Sequence, residues 1–100
     1  MEFLVEIEIN LPTDFPEAER AELLAAETAR AQTLRDTGVI DRIWRIPGRS
    51  ANLGVWVAPD VTSLHEQLIS LPLWAWMDIH VRPLAQHPLE SAAAVRGAAG

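Results

Sequence analysis

Residues 39–57 have the sequence VIDRIWRIPGRSANLGVWV, in which two largely apolar segments flank a proline and a glycine. Residues 39–46 and residues 51–57 are each predicted to form a strand. Between them, Pro47-Gly48 predicts a tight turn, because proline fixes its backbone φ angle and glycine adopts conformations closed to other residues. The stretch as a whole is therefore predicted to be a β-hairpin.

Upstream of the hairpin, the pattern predicts one strand and one long helix. Over residues 2–10, apolar side chains alternate with mostly acidic ones, which is typical of a strand with one buried and one wet face. A helix is predicted to begin at Asp14 or Phe15, with proline and glutamates in its first turn. It runs to about Thr37, and Gly38 is its natural C-cap.

Downstream, a short helix and a fourth strand follow. The helix is predicted from about Thr62 to Ile69, with Asp60 or Thr62 as its N-cap. Residues 77–82 alternate between apolar and polar side chains, and Pro83 is expected to end that strand. The order β-α-β-β-α-β predicts an α+β, ferredoxin-like sandwich: a four-stranded antiparallel sheet with two helices on one face.

With 100 residues, the chain has room for a single domain. We predict that this domain covers residues 1–88 and that residues 89–100 form a flexible C-terminal tail. The sheet face opposite the helices needs a cover, for which a neighbouring subunit or the tail is the simplest candidate. A domain this small is marginally stable alone, so a homo-oligomer is expected.

The charge balance and the residue types exclude several functions. The net charge is −6 and lysine is absent, which argues against nucleic-acid binding. Cysteine is also absent, and no histidine pair has the spacing of a metal site. The longest apolar run is far too short to span a membrane, and the acidic start lacks the basic segment of a signal peptide. We expect a cytoplasmic protein without a metal.

Glu27 is the strongest candidate for chemistry. It lies at helical spacing with Leu24, Ala31 and Leu34, on the stripe expected to face the sheet. A carboxylate on that face loses hydration, so its pKa should rise toward the range useful for proton transfer. The alternative is a glutamate at the edge of the stripe that reaches water or pairs with Arg30.

Arg45 and Asn52 lie on the two arms of the hairpin and form a second candidate group. A guanidinium among apolar residues suits a small carboxylate ligand. The alternative is that Arg45 pairs with a glutamate of the first strand on the wet face. Of the histidines, His65 is expected to cap or brace the interior, and His80 is expected to be exposed. The tryptophans near these elements are expected in the core, at subunit contacts or in an apolar pocket.

Several short motifs resemble the muconolactone isomerase family over residues 1–88. They include the opening strand ending in Leu11-Pro12, Glu27 in an A-x-E segment, and IWRIPGR in the hairpin. The remaining motifs are Ala51-Asn52, Leu64-His65 and, most specific, the run LPLWAWMDIHVRPLAQHP over residues 71–88.

The resemblance implies a cofactor-free isomerase of aromatic-compound catabolism. It would move a proton and a double bond within an unsaturated lactone carrying a carboxylate, from muconolactone to the enol-lactone of 3-oxoadipate. Glu27 would shuttle the proton, and Arg45 and Asn52 would contact the carboxylate and the enolate. Ser50 and Trp76 are further substrate-binding candidates. Family members assemble into homo-oligomers, typically decamers.

The chain also departs from the family pattern. The family usually has basic residues at or near two positions and aromatic ones at three others, which here are Leu24 and Thr28, and Ile40, Ser50 and Leu53. These departures leave two alternatives open. The first is a related enzyme recruited to isomerise, cyclise or dehalogenate a different, more apolar substrate. The second is a non-catalytic oligomer that binds small molecules.

Overall fold

A computed structural model describes residues 1–90 and contains four strands and two α-helices in the predicted order. Their bounds are β1 Glu2–Ile9, α1 Glu17–Asp36, β2 Ile40–Arg45, β3 Ala51–Val57, α2 Val61–Ile69 and β4 Met77–Leu84. Two short 3₁₀ turns flank β4, Trp74–Trp76 before it and Pro88–Glu90 after it. From residue 91 onward, the predicted flexible tail lies outside the described residues.

The four strands form one antiparallel sheet in the order β2-β3-β1-β4, the ferredoxin-like arrangement. The register places Ile7 of β1 opposite Asn52 of β3 and Ile79 of β4. Because directly opposed residues share a face of the sheet, these three side chains point toward the same side. The predicted fold class is confirmed.

A single core lies between the sheet and both helices. The alternating residues Phe3, Val5 and Ile7 of β1 are almost completely buried, as the pattern predicted. Leu34 of α1 and Leu64 of α2 belong to the same cluster. Both helices therefore pack on one sheet face, and burial of these apolar side chains is the main force that holds the layers together.

The turns and caps follow local chemistry. Gly38 and Gly48 both have positive φ angles, 83° and 79°, where they end α1 and complete the hairpin turn. At the N-terminus of α2, the carboxylate of Asp60 accepts a hydrogen bond of 2.7 Å from the backbone N–H of Ser63. Helix α1 starts at Glu17, later than predicted, because Pro16 has an extended ψ angle of 133°.

Two sequence-based expectations are wrong. Strand β4 continues through Pro83 to Leu84, because β4 is an edge strand, where a residue without an N–H is tolerated. His65 is exposed on α2 instead of bracing the interior. His80 is exposed, as expected, and its ring lies 3.5 Å from the carboxylate of Asp78.

The sheet face away from the helices has no cover within residues 1–90. Trp44 on this face is 45% exposed, and Leu53 and Val55 of the central strand β3 are only half-buried. At its edge, Arg49 forms ion pairs with Glu6 and Glu8. In the same part of the chain, no helix is both long and apolar enough to cross a membrane.

Candidate active site

Helix α1 spans a cavity of about 830 Å³ that separates much of the helix from the sheet. One stripe of α1 lines it: Arg20, Leu24, Glu27, Thr28, Ala31, Gln32 and Arg35. Its other walls come mainly from the sheet and from the segment after α2: Ile7, Ile9, Ile40, Ile43, Arg45, Asn52, Trp56, Leu71, Leu73 and Met77. The lining thus combines apolar side chains with polar ones that include three arginines, which suits a small molecule carrying both apolar and polar groups.

The Glu27 side chain enters this cavity from the helix and is half-buried. Its Oε1 accepts a hydrogen bond of 2.9 Å from the backbone N–H of Leu73, in the segment that follows α2. Burial raises the pKa of Glu27 above the ordinary value of 4.5, and the bond from Leu73 offsets part of that rise. The direction is the one the helical stripe predicted.

Arg30 does not pair with Glu27. Its Nε donates to Ser70 Oγ at 3.0 Å, and its Nη2 donates to Gln67 Oε1 at 2.9 Å. Glu27 forms no ion pair among the described residues, so the pairing with Arg30 is absent there, while its half-buried side chain still reaches water at the cavity mouth. Arg30 instead ties α1 to the end of α2, close to the segment that supplies the Leu73 N–H.

Arg45 and Asn52 are directly opposed on β2 and β3, and both line the cavity. Within residues 1–90 the guanidinium of Arg45 has no hydrogen-bonding or ion-pairing partner. The β1 glutamates Glu6 and Glu8 form their ion pairs with Arg49. The alternative pairing of Arg45 with a β1 glutamate is therefore not observed among the described residues. Arg45 therefore offers an unpaired cation at the cavity wall.

Two polar atoms in the cavity wall are buried without a partner within the described residues: Asn52 Oδ1 and Trp56 Nε1. Leaving such a group unpaired costs about 1–3 kcal/mol. Trp56 was expected only as a core or pocket residue, and its N–H was overlooked. The signal was present in the sequence, because Trp56 lies four residues after Asn52 and so faces the same side of the strand.

Of the two other predicted site residues, Ser50 lies at the cavity and Trp76 does not. Ser50 lines the cavity at the hairpin, where its carbonyl oxygen accepts a bond of 2.9 Å from the N–H of Ile9. Trp76 is not among the lining residues. It packs edge-to-face on Phe15, with ring centroids 5.5 Å apart. The structure therefore brings together Glu27 and three of the four other candidates.

Two arginines of the cavity were missed at the sequence level. Arg20 and Arg35 lie seven residues before and eight after Glu27, so helical spacing could have found them. Arg20 donates to the carbonyl oxygen of Pro12 at 2.6 Å, and Arg35 donates to the carbonyl oxygens of Ile40 and Asp41. Both guanidiniums are thus held by the backbone, unlike that of Arg45.

The sequence model of the family described as muconolactone delta-isomerase matches residues 1–90. The chain belongs to the muconolactone delta-isomerase family. Muconolactone delta-isomerase of Cupriavidus pinatubonensis is 40% identical over 88 residues, which cover 88% of this chain and 96% of that protein. Muconolactone delta-isomerase 2 of Acinetobacter lwoffii is 41% identical over 87 residues, which cover 87% of this chain and 91% of that protein.

A crystal structure of muconolactone isomerase is also similar, with a TM-score of 0.84 and 40% identity. The likeness covers 91% of this chain and 95% of that one. The resemblance drawn from the sequence motifs is confirmed. This muconolactone delta-isomerase family member departs from the expected family pattern at five positions. Leu53 lies outside the cavity lining. The other four positions line the cavity: Leu24, Thr28, Ile40 and Ser50.

Proposed function

We propose that this protein isomerises muconolactone without a cofactor and that Glu27 carries the proton. One observation carries the proposal: a carboxyl group with a raised pKa projects into a largely apolar cavity and has no cationic partner within residues 1–90. A carboxyl in that state can serve first as base and then as acid. The names of the similar proteins support the choice of substrate.

The reaction needs only one proton carrier. The Glu27 carboxylate removes a proton from the saturated ring carbon next to the conjugated double bond, and the electron pair moves through that double bond onto the lactone carbonyl oxygen to form an enolate. The carboxylic acid then returns the proton to a carbon two atoms away, and the double bond shifts. Because Oε1 is held by the Leu73 N–H, Oε2 is the oxygen left to carry the proton.

Binding is assigned to the hairpin. We propose that Arg45 pairs with the carboxylate of the substrate, since its guanidinium alone among the three cavity arginines is without a partner in the described residues. The Asn52 amide, opposite it in the register, contacts the enolate oxygen. Ser50 lines the same wall and completes the substrate contacts. Trp76 is not included, because it packs on Phe15 instead.

The test is turnover of muconolactone in deuterated water, followed by ultraviolet absorbance and mass spectrometry. The unaltered protein is expected to convert the lactone and to incorporate deuterium from solvent. Glu27→Gln is expected to do neither, although it binds the lactone. Equal conversion by both proteins would refute the assignment of Glu27. Absence of conversion by the correctly folded, unaltered protein would refute the choice of substrate.

A second candidate function rests on the altered cavity wall. Leu24 is apolar where the family pattern has a cation, and Thr28 directs its hydroxyl to the carbonyl oxygen of Leu24 at 3.0 Å. These substitutions favour a related enzyme that isomerises, cyclises or dehalogenates a more apolar lactone. Parallel assays with muconolactone and with its chlorinated and methylated analogues distinguish the two, through the ratio of their kcat/KM values.

We also propose that a second copy of this chain covers the open sheet face in a homo-oligomer of the size of a decamer. The half-buried and exposed apolar side chains of that face, Trp44, Leu53 and Val55, support an interface. Sedimentation of the unaltered protein tests it, and Val55→Arg is expected to reduce the oligomer. A monomer at micromolar concentration would contradict the proposal. A cytoplasmic location stays a prediction.

A further inference from the structure

Ile40 and Arg45, at the two ends of β2, face the same side of the sheet although they lie five positions apart. Ile40 is opposite Trp56, Arg45 is opposite Asn52, and all four residues line the cavity. In a regular strand the side chains alternate, so residues an odd number of positions apart point to opposite faces. Strand β2 therefore needs one extra residue between its ends.

Asp41 is that extra residue. The register passes from Ile40 directly to Arg42 while β3 advances by a single residue, so Asp41 has no partner on β3 and forms a β-bulge. The bulge reverses the alternation for the rest of β2. Without it, Trp44 instead of Arg45 would lie opposite Asn52, and the cation would face away from the cavity. The orientation of Arg45 thus depends on where the bulge lies.

Arg35, on the last turn of α1, holds the backbone at this bulge. Its Nη1 donates to the carbonyl oxygen of Ile40 at 3.3 Å and also to that of Asp41. Consecutive carbonyls of a regular strand point to opposite edges, so a single nitrogen reaches both only where the strand is bent. The guanidinium therefore stabilises the bulged register and would lose one of its two acceptors in a regular one.

Gly54 of β3 provides room for the same bulge. A Cβ atom at Gly54 would lie 3.0 Å from the carbonyl oxygen of Arg42, the residue that follows Asp41. That distance is shorter than an ordinary van der Waals contact, so a side chain at Gly54 would push β2 away. Two features outside β2, a guanidinium on α1 and a glycine on β3, thus fit the bulged register.

We infer that Arg35 is a positioning residue: by holding the bulge at Asp41, it turns Arg45 toward the cavity and toward the carboxylate of the substrate. This inference rests on the proposed function and adds to it the residue that orients the binding cation. Arg35 also lines the cavity, but its Nη1 is engaged with the backbone of β2. Its effect on binding therefore passes through Arg45.

Deletion of Asp41 separates this role from direct contact with the substrate. Without Asp41, Ile40 and Arg45 are four positions apart and share a face in a regular strand that does not need Arg35. Arg35→Met is expected to raise KM for muconolactone by about 10-fold with little change in kcat. Deleting Asp41 as well is expected to bring KM back to within about 2-fold of the unaltered protein. A KM that stays raised after the deletion would overturn the inference.

Arg20→Met is the matched control for the deletion. It removes another guanidinium that lines the cavity and donates to a backbone carbonyl oxygen, but it leaves β2 untouched. Deletion of Asp41 is therefore expected to leave the KM of Arg20→Met unchanged. An equal recovery of KM in Arg20→Met and Arg35→Met would overturn the inference, because the deletion would then act without regard to the bulge.

The register of β2 can be measured independently of activity. Opposed residues of antiparallel strands give nuclear Overhauser contacts between their backbone protons. The contact between Arg45 and Asn52 is expected to weaken in Arg35→Met and to return when Asp41 is also deleted. An unchanged contact in Arg35→Met would overturn the inference. If the unaltered protein does not convert muconolactone, the proposed function fails, and this contact still decides the role of Arg35 in the register. If Arg35→Met does not fold, Arg35→Lys, which keeps the charge and fewer donors, is measured in its place.

Discussion

The backbone N–H of Leu73 donates a hydrogen bond of 2.9 Å to Oε1 of Glu27, two residues that lie 46 positions apart in the chain. The bond favours the charged carboxylate, whereas burial favours the neutral acid, and burial is the larger effect. The carboxyl group is therefore held in one orientation and is also easier to protonate than an exposed glutamate. Both properties help a single group to remove a proton from a substrate and then return it.

The first prediction concerns the pH dependence of catalysis. Because only the carboxylate of Glu27 can accept the proton, kcat/KM for muconolactone is expected to fall as pH decreases through the raised pKa. The midpoint of this acidic limb should lie above 4.5, the ordinary value for glutamate. A rate profile in buffers of constant ionic strength measures it. A midpoint at or below the ordinary value would show that burial does not govern the reacting carboxyl.

The second prediction concerns stability. A glutamate whose pKa is raised in the folded state stabilises the fold only while protonated, so its contribution is lost as pH rises from 4.5 through the raised pKa. Glutamine is uncharged and still accepts the Leu73 bond. The free energy of unfolding of Glu27→Gln, relative to the unaltered protein, should therefore increase across that window and then level off.

Urea unfolding at several pH values measures this difference. The matched control is Glu22→Gln, which changes an exposed glutamate on the same helix and should alter stability by less than about 0.5 kcal/mol. A constant difference between Glu27→Gln and the unaltered protein at every pH would contradict the raised pKa.

The third prediction concerns Arg45. Arg45→Met should raise KM for muconolactone by about 10- to 100-fold, because the substrate loses the binding free energy of one charge-assisted hydrogen bond. Folding should be little affected, because Arg45 is exposed and unpaired within residues 1–90. Arg42→Met is the matched control on the same strand, since Arg42 is not among the residues that line the cavity. Equal KM values in the two variants would exclude Arg45 from substrate binding.

The fourth prediction concerns Arg30 as a positioning residue. Arg30→Met removes the bonds to Ser70 and Gln67, so α1 and the end of α2 lose their polar connection. We expect a loss of about 1–2 kcal/mol in the free energy of unfolding, together with a lower kcat and a displaced acidic limb. Arg30→Lys keeps the charge and should recover part of both. Lower stability with unchanged kinetics would limit Arg30 to a structural role.

Much of the fold was predictable because its signals are local. The alternation in β1, the turn at Pro47-Gly48 and the stripe that contains Glu27 each depend on residues a few positions apart. Those patterns identified every strand, both helices and their order. The error at Pro83 shows the limit of local signals: Pro83 does not end β4, because the sequence near it does not reveal which strand lies at the edge of the sheet.

The site could be predicted only in part. Helical and strand periods indicated which faces Glu27, Arg45 and Asn52 occupy, and the motifs indicated the family. The packing of distant segments supplied the rest: the N–H of Leu73 at Glu27, the unpaired indole of Trp56, and the placement of Trp76 on Phe15. A backbone N–H carries no sequence signature, and a donor is unpaired only relative to neighbours brought from elsewhere in the chain. Short-range periodicity therefore identifies the elements, whereas the chemistry of the cavity arises from how they pack.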